Sequence, residues 1–231
     1  MRRQTLLSQL ASHVLSVQRP HPTRVALDGC SAAGKTTLAD ELAETLAAQT
    51  ERPVIRVGAD YFKRARPLRT AYPQDSPESH YLDSWDNAAI LADLLVPLGP
   101  SGNRRYRPAV MNLMATEYLD LPYETAAEDA ILVADGCFLQ RPELEQHWDL
   151  RIYLHVSFET VLRRGIERDQ AWMGDAAEAE RRYLSKYIPG ERLYVKEIDP
   201  ASRAHIVVDN TDFENPELYS TLRSQSSTPA T

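Results

Sequence analysis

The segment Gly29-Cys30-Ser31-Ala32-Ala33-Gly34-Lys35-Thr36 fits the pattern GxxxxGK[ST] at every fixed position. Residues of these types at this spacing make a cradle for phosphate. Glycines let the backbone turn so that its N–H groups point inward, and a helix starting at the Lys-Thr pair presents its positive end to the same anion. The amides of this stretch and of the following Thr37 would surround a nucleotide's phosphates. Lys35 reaches the β- and γ-phosphates, and the Thr36 hydroxyl can ligate magnesium. The same letters also describe a glycine turn with an incidental helix start. Hydrolases, motors and kinases all use such a loop, and the loop alone does not separate them.

Two carboxylates stand where they could serve it. Asp60 follows the apolar run 54–57 directly. Residues just beyond the carboxyl ends of parallel strands line the ligand crevice, so Asp60 is the best-placed group to take a proton from an acceptor hydroxyl. A turn or helix-cap aspartate would look the same. Asp135 ends the apolar run 131–134 and is followed by glycine, the form of a magnesium-holding acid at a strand end. A plain Asp-Gly turn has identical letters. Arg163, Arg164 and Arg168 share one helical stretch, with Arg164 and Arg168 on a common face. They could clamp a transferring phosphoryl group, or form a solvated face paired with Glu159, Glu167 and Asp169.

Elements of the right kind exist to position these groups. Leu6, Leu7, Leu10, Val14 and Val17 recur at helical spacing and predict a packing helix that ends before Pro20 and Pro22. A short strand at 24–28, the glycine loop, and a helix carrying Leu38, Leu42 and Leu46 follow. Asp86 or Asn87 can cap a helix running to about Val96, where Pro97 and the Gly99-Pro100-Ser101-Gly102 turn stop it. Alternation over 104–119 predicts a β-hairpin outside the main sheet. The runs 131–134, 152–156 and 206–208 are of buried-strand type, with helices predicted at about 158–168 and 176–187. Strands alternating with helices imply a mostly parallel, three-layer α/β sheet.

Composition narrows the class. At 231 residues and 43% apolar content, the chain can fill one core, and a single domain over 1–220 with a disordered tail over 221–231 is expected. A net charge of −7 argues against a nucleic-acid or anionic-membrane partner, so a small anionic cofactor must be held by local positive groups. Cys30 and Cys137 have no CxxC spacing and no partner cluster. Disulfides and a zinc site are therefore unsupported. Residues 4–13 interleave polar side chains with leucines, unlike a signal peptide, and no run reaches membrane-spanning length. The chain reads as soluble and cytoplasmic, with a homo-oligomer left open.

With these pieces in order, LDGCSAAGKTTLA (27–39), GADYF (58–62), DSWDN (83–87), ILVADGCF (131–138) and LRRGIERD (162–169) resemble the uridine kinase branch of the P-loop kinases, which includes phosphoribulokinase and pantothenate kinase. The resemblance covers roughly residues 23–215. It implies a P-loop NTPase fold with a five-stranded parallel core, a mobile lid over about 163–190 and a β-hairpin over the acceptor pocket. It also implies ATP and Mg2+ as cofactors and a nucleoside-like small-molecule acceptor. Asp60 matches the family's general base, with Tyr61 beside it. Arg164 and Arg168 match lid arginines acting on phosphate, and Asn210 and Asp212 fall where adenine is held.

Two departures concern the acceptor. The family's ribose-binding Asp-His-Pro-Asp is replaced by His80-Tyr81-Leu82-Asp83, and the hairpin's pyrimidine-reading tyrosine and histidine give way to 107–112 and Thr116. Tyr81, Asp83, Trp85 and Asp86 form a patch suited to a polyhydroxylated or basic molecule, although Trp85 could equally anchor the following helix. Tyr183, Lys186, Tyr187 and Arg192 could instead contact an acidic acceptor.

Overall fold

A computed structural model describes residues 1–220; the expected tail over 221–231 lies outside the described residues. The chain opens with α1 (Arg3–Ser16), β1 (Thr23–Gly29), α2 (Lys35–Gln49) and β2 (Val54–Gly58). Two 3-10 turns follow, Ala59–Phe62 and Arg66–Leu68, then α3 (Pro77–Leu82) and α4 (Asn87–Ile90), which runs on as a π turn over Leu91–Leu95. Next come β3 (Arg105–Tyr106), β4 (Glu124–Thr125), β5 (Ile131–Gly136), α5 (Pro142–Glu145) and β6 (Leu150–His155). The last part holds α6 (Phe158–Met173), α7 (Ala176–Arg182), a π turn at Tyr183–Tyr187, α8 (Ile188–Ile198), α9 (Pro200–Arg203), β7 (Ile206–Asp209) and β8 (Glu217–Ser220).

The main sheet has the order β2-β5-β1-β6-β7-β8. Its first five strands run parallel, and β8 adds an antiparallel edge on β7. The sheet therefore has six strands where five were expected. The extra one was missed because Glu217–Ser220 is a short, half-polar segment, as edge strands facing water tend to be.

Both faces of the sheet are covered. In β5, Ile131 and Val133 pack into one core with Leu27, Leu38 and Leu42, while Leu132 and Ala134 pack into the other with Phe62, Leu94 and Phe138. Alternate side chains of a strand point to opposite faces, so a continuous apolar run marks a strand buried on both. The N-terminal helix packs through Leu6, Leu10, Ala11 and Val14, as its spacing predicts.

Two expectations need correction. The predicted hairpin at 104–119 is instead a longer excursion, closed by β3 pairing with β4 and bridged within by Met111 and Tyr118. Pro108 has no N–H to give a ladder, and the excursion is tied at its base by Asp93, which holds Arg107 at 2.9 Å and accepts from the Tyr123 hydroxyl at 2.8 Å. The helix predicted to end near 187 instead runs on through the π turn Tyr183–Tyr187 into α8, with Pro189 directly after that turn.

His205 joins β6 to β7. Its Nδ1 accepts from the Arg151 amide at 2.9 Å, and its own amide donates to the Arg151 carbonyl at 2.9 Å. Burial, then the charges of Arg151 and Arg19, hold its pKa down to about 4 from 6.5. The unfolded chain therefore takes up this proton first as pH falls. The stability due to the neutral ring is complete above about 6.5 and is lost as pH drops towards 4. A His205→Gln variant, followed by thermal melts across that window, will show a shallower fall in Tm with acid than the unmodified chain.

Candidate functional site

Strands β1, β2 and β5 end side by side, with Gly58 in register with Asp135 and Asp28 in register with Gly136. Above their carboxyl ends opens a cleft of about 800 Å³, within the range of small-molecule sites. Ser31, Ala32, Lys35 and Thr36 form its floor, with Asp60, Asp135 and Cys137 beside them.

The phosphate loop adopts the conformation its letters require. Gly34 has φ +91° and Ala32 φ +55°. At Gly34 a side chain would also strike the Asn210 amide at 2.7 Å. The helix α2 begins at Lys35, so its first amides have no intrahelical acceptor and face the loop's concavity. Lys35 is buried and donates to the Cys30 carbonyl at 2.8 Å. Burial works against its charge, but Cys137 and the carboxylates of Asp135, Glu191 and Asp60 outweigh that and hold its pKa above the ordinary range. The ammonium stays charged where an anion would sit.

Asp135 accepts from the Thr36 hydroxyl at 2.7 Å through Oδ2 and pairs with Arg56 at 2.8 Å through Oδ1. A hydroxyl and a carboxylate side by side are hard oxygen donors. They suit magnesium, which takes few protein ligands and completes its shell with phosphate oxygens and water. Among the described residues there is no group of three or more His, Cys, Asp or Glu that could hold a metal ion.

Asp60 lies in the 3-10 turn directly after β2, lines the cleft and is half-exposed, with Lys63 at 3.3 Å. Tyr61, next to it, lines the cleft too. Gly136 permits this placement, since a Cβ there would come within 2.6 Å of the Ala59 Cβ and push the turn away. Both thiols stay protonated: burial pushes Cys137 up to about 11 and raises Cys30 well above the usual range.

The remaining residues singled out in the sequence divide. Arg168 lines the cleft and is held by Asp169 at 2.7 Å and by the Tyr183 hydroxyl at 3.2 Å. Gly165 lets the π turn approach this closely, because a Cβ there would meet the Tyr183 ring at 2.2 Å. Arg164 does not line the cleft; it donates to the carbonyls of Asn210 and Thr211 at 3.0 and 2.9 Å. Asn210 is wholly buried and donates to the Ala33 carbonyl at 2.7 Å, so its side chain braces the phosphate loop.

His80 and Trp85 line the cleft, whereas Tyr81 and Asp83 do not. Tyr81 is buried against Phe138 and Tyr194. Asp83 binds Arg64 at 2.5 Å and accepts from the Ala71 amide at 3.2 Å, fastening the 64–71 loop. Arg192 stacks on Phe158 at 4.4 Å and is likewise outside the cleft.

Sequence reasoning missed Glu191, Arg56, Arg66 and Arg69. Glu191 has no exposure at all and accepts from the Ser31 amide at 2.6 Å, with His80 Nε2 at 3.8 Å. Nothing in the run PGERLY (189–194) marks it. Arg56 could have been found from β2 itself, as a charged residue in an otherwise apolar strand.

No protein-family model matches the chain, and no curated protein matches it by sequence. Solved structures match it by fold. A candidate uridine kinase from Bacillus stearothermophilus aligns at TM-score 0.69 and 20% identity, over 88% of this chain and 97% of that one. A candidate fructose transport system kinase from Silicibacter sp. TM1040 aligns at 0.69 and 22%, over 82% and 94%. A D-glycerate 3-kinase from Cryptococcus neoformans aligns at 0.60 and 11%, over 93% and 99%. At these identities the likeness establishes the fold alone: the chain has the α/β P-loop kinase fold. No helix among the described residues is long and apolar enough to cross a membrane.

Proposed function

We propose that this protein is an ATP- and magnesium-dependent kinase that moves the γ-phosphoryl group onto a hydroxyl of a small molecule. The observation that carries this reading is a half-exposed carboxyl group suited to accept a proton, that of Asp60, in the same cleft as a buried ammonium and a helix N-terminus. A protein that only binds nucleotide has no use for the first. The nucleotide supplies the phosphoryl group, with magnesium held by Thr36 and Asp135 to neutralise its charge. Lys35 and the loop amides hold the phosphates, and Asn210 keeps the loop in shape. Asp60 takes the hydroxyl proton as the acceptor oxygen bonds to phosphorus and the bond to the ADP oxygen breaks. Arg168, mounted on the lid by Asp169 and Tyr183, adds positive charge from above. Trp172 and Met114, both exposed and both lining the cleft, offer apolar surface with which a closing lid excludes water.

A nucleoside acceptor, which the resemblance implies, has less support than the reaction, since Asp83 is committed to Arg64 and Tyr81 to the core. The test is ADP release from ATP-Mg with uridine, cytidine, hexoses, glycerate and pantothenate. Release that depends on one acceptor supports the kinase; tight ATP binding with no turnover on any of them supports a nucleotide-binding regulator instead.

A further inference from the structure

Part of the cleft contradicts the charge of the whole. In a chain of net charge −7, the lining of this cleft includes Lys63, Arg66, Arg69, Arg182 and Lys186. Two of these have carboxylate partners: Lys63 reaches Asp60 at 3.3 Å and Arg182 reaches Glu178 at 2.6 Å. Among the described residues, Arg66, Arg69 and Lys186 form no ion pair with any carboxylate within 4.0 Å.

Local structure drives the three together. Arg66 opens the 3-10 turn Arg66–Leu68 and Arg69 closes it, and side chains three apart on such a turn eclipse one another. The Arg66 amide donates to the Ala115 carbonyl at 3.0 Å and its Nε to the Met114 carbonyl at 3.0 Å, which fixes the turn against the excursion loop. Lys186 comes from a different element, the π turn Tyr183–Tyr187, and reaches the Gln74 carbonyl.

The cations crowd one another. Burial, then Arg66, lowers the Arg69 pKa, and burial lowers that of Lys186, with Arg69, Arg182 and Arg66 adding to it against the pull of Asp75. Arg69 Nη2 is buried with no hydrogen-bond partner. A neutral occupant would leave this cost standing, whereas an anion would remove it and supply the missing acceptor.

We propose that the phosphoryl acceptor is a hydroxylated anion whose carboxylate or phosphate group docks on Arg66, Arg69 and Lys186. Its hydroxyl is then presented to Asp60, which lines the same cleft as Lys35 and the three cations and pairs with Lys63 at 3.3 Å. The inference rests on the kinase reading and names its substrate class.

The test compares kcat/KM at saturating ATP-Mg for hydroxy acids (glycerate, pantothenate, gluconate), for sugar monophosphates, and for the neutral uridine and glucose. Either anionic group outperforming the neutral one supports the proposal, and which group wins identifies carboxylate or phosphate. Arg69→Gln and Lys186→Met should each raise the anionic acceptor's KM by about 10–100-fold, the loss of a charge-assisted hydrogen bond, while KM for ATP stays put. A best acceptor that is neutral overturns the proposal, as does a rise in KM for ATP instead, which would assign the cluster to the nucleotide.

Calorimetric titration of the same anions into the protein saturated with a non-hydrolysable ATP analogue separates the two readings. Binding that Lys186→Met abolishes, with no turnover on any acceptor, retains the anion site and removes the kinase. Absence of both binding and turnover removes the anion site.

Discussion

Replacing Asp60 by asparagine should lower kcat by about 10²–10⁴-fold with KM for ATP little changed, the range expected for losing a positioned general base. Asparagine keeps the shape and the hydrogen-bonding oxygen but cannot accept the acceptor's proton. The fold should tolerate the change, because what is lost is an exposed ion pair to Lys63, and such pairs contribute on the order of 0–1 kcal/mol. Steady-state rates at saturating ATP, alongside thermal melts, check it. A decrease smaller than about tenfold would mean that some other group takes the proton.

Lys35→Met should be as damaging by a different route. Methionine keeps the buried stem and removes only the charge, so the comparison isolates the ammonium. Removing one preorganised positive group aimed at developing charge costs about 10²–10³-fold in kcat, or roughly 2.7–4 kcal/mol. Nucleotide affinity should fall too, since Lys35 acts on ground-state phosphates as well. The variant also removes a charge-assisted hydrogen bond to the Cys30 carbonyl, which keeps its bond from the Ala33 amide at 3.1 Å, at a cost of about 1.5–3 kcal/mol of stability. Rates are therefore read at a temperature where melts show both proteins folded. An unchanged rate with full nucleotide binding would remove the phosphate-loop assignment.

The two predictions separate roles that share one cleft. Asp60 is expected to move kcat alone, while Lys35 moves kcat and ATP binding together. Glu191 adds a constraint on how the loop opens. Its carboxyl group accepts from the Ser31 amide, so an incoming phosphate meets a loop with one amide already hydrogen-bonded.

What the sequence determined about this protein was everything that local chemistry dictates. The loop at 29–36 could be read because its glycines, lysine and threonine serve geometry and charge within eight consecutive residues. The parallel strands were legible because burial on both faces forces unbroken apolar runs, and α1 because one buried face forces helical spacing. Asp60 and Asp135 were found by the same logic, since a strand's last residue and the next turn are fixed relative to its neighbours.

What tertiary structure alone decided was which distant side chains meet. Asp83 looked like an acceptor contact until Arg64 and the Ala71 amide claimed it, and Arg164 looked like a phosphate clamp until the 210–211 carbonyls did. Arg66 and Arg69 drew no notice, and Lys186 was read only as one of several contacts for an acidic acceptor, because a cation is unremarkable in a sequence; only folding shows whether it has a counter-charge. A charge's role depends on its partners and its access to water, and neither is a property of neighbours along the chain.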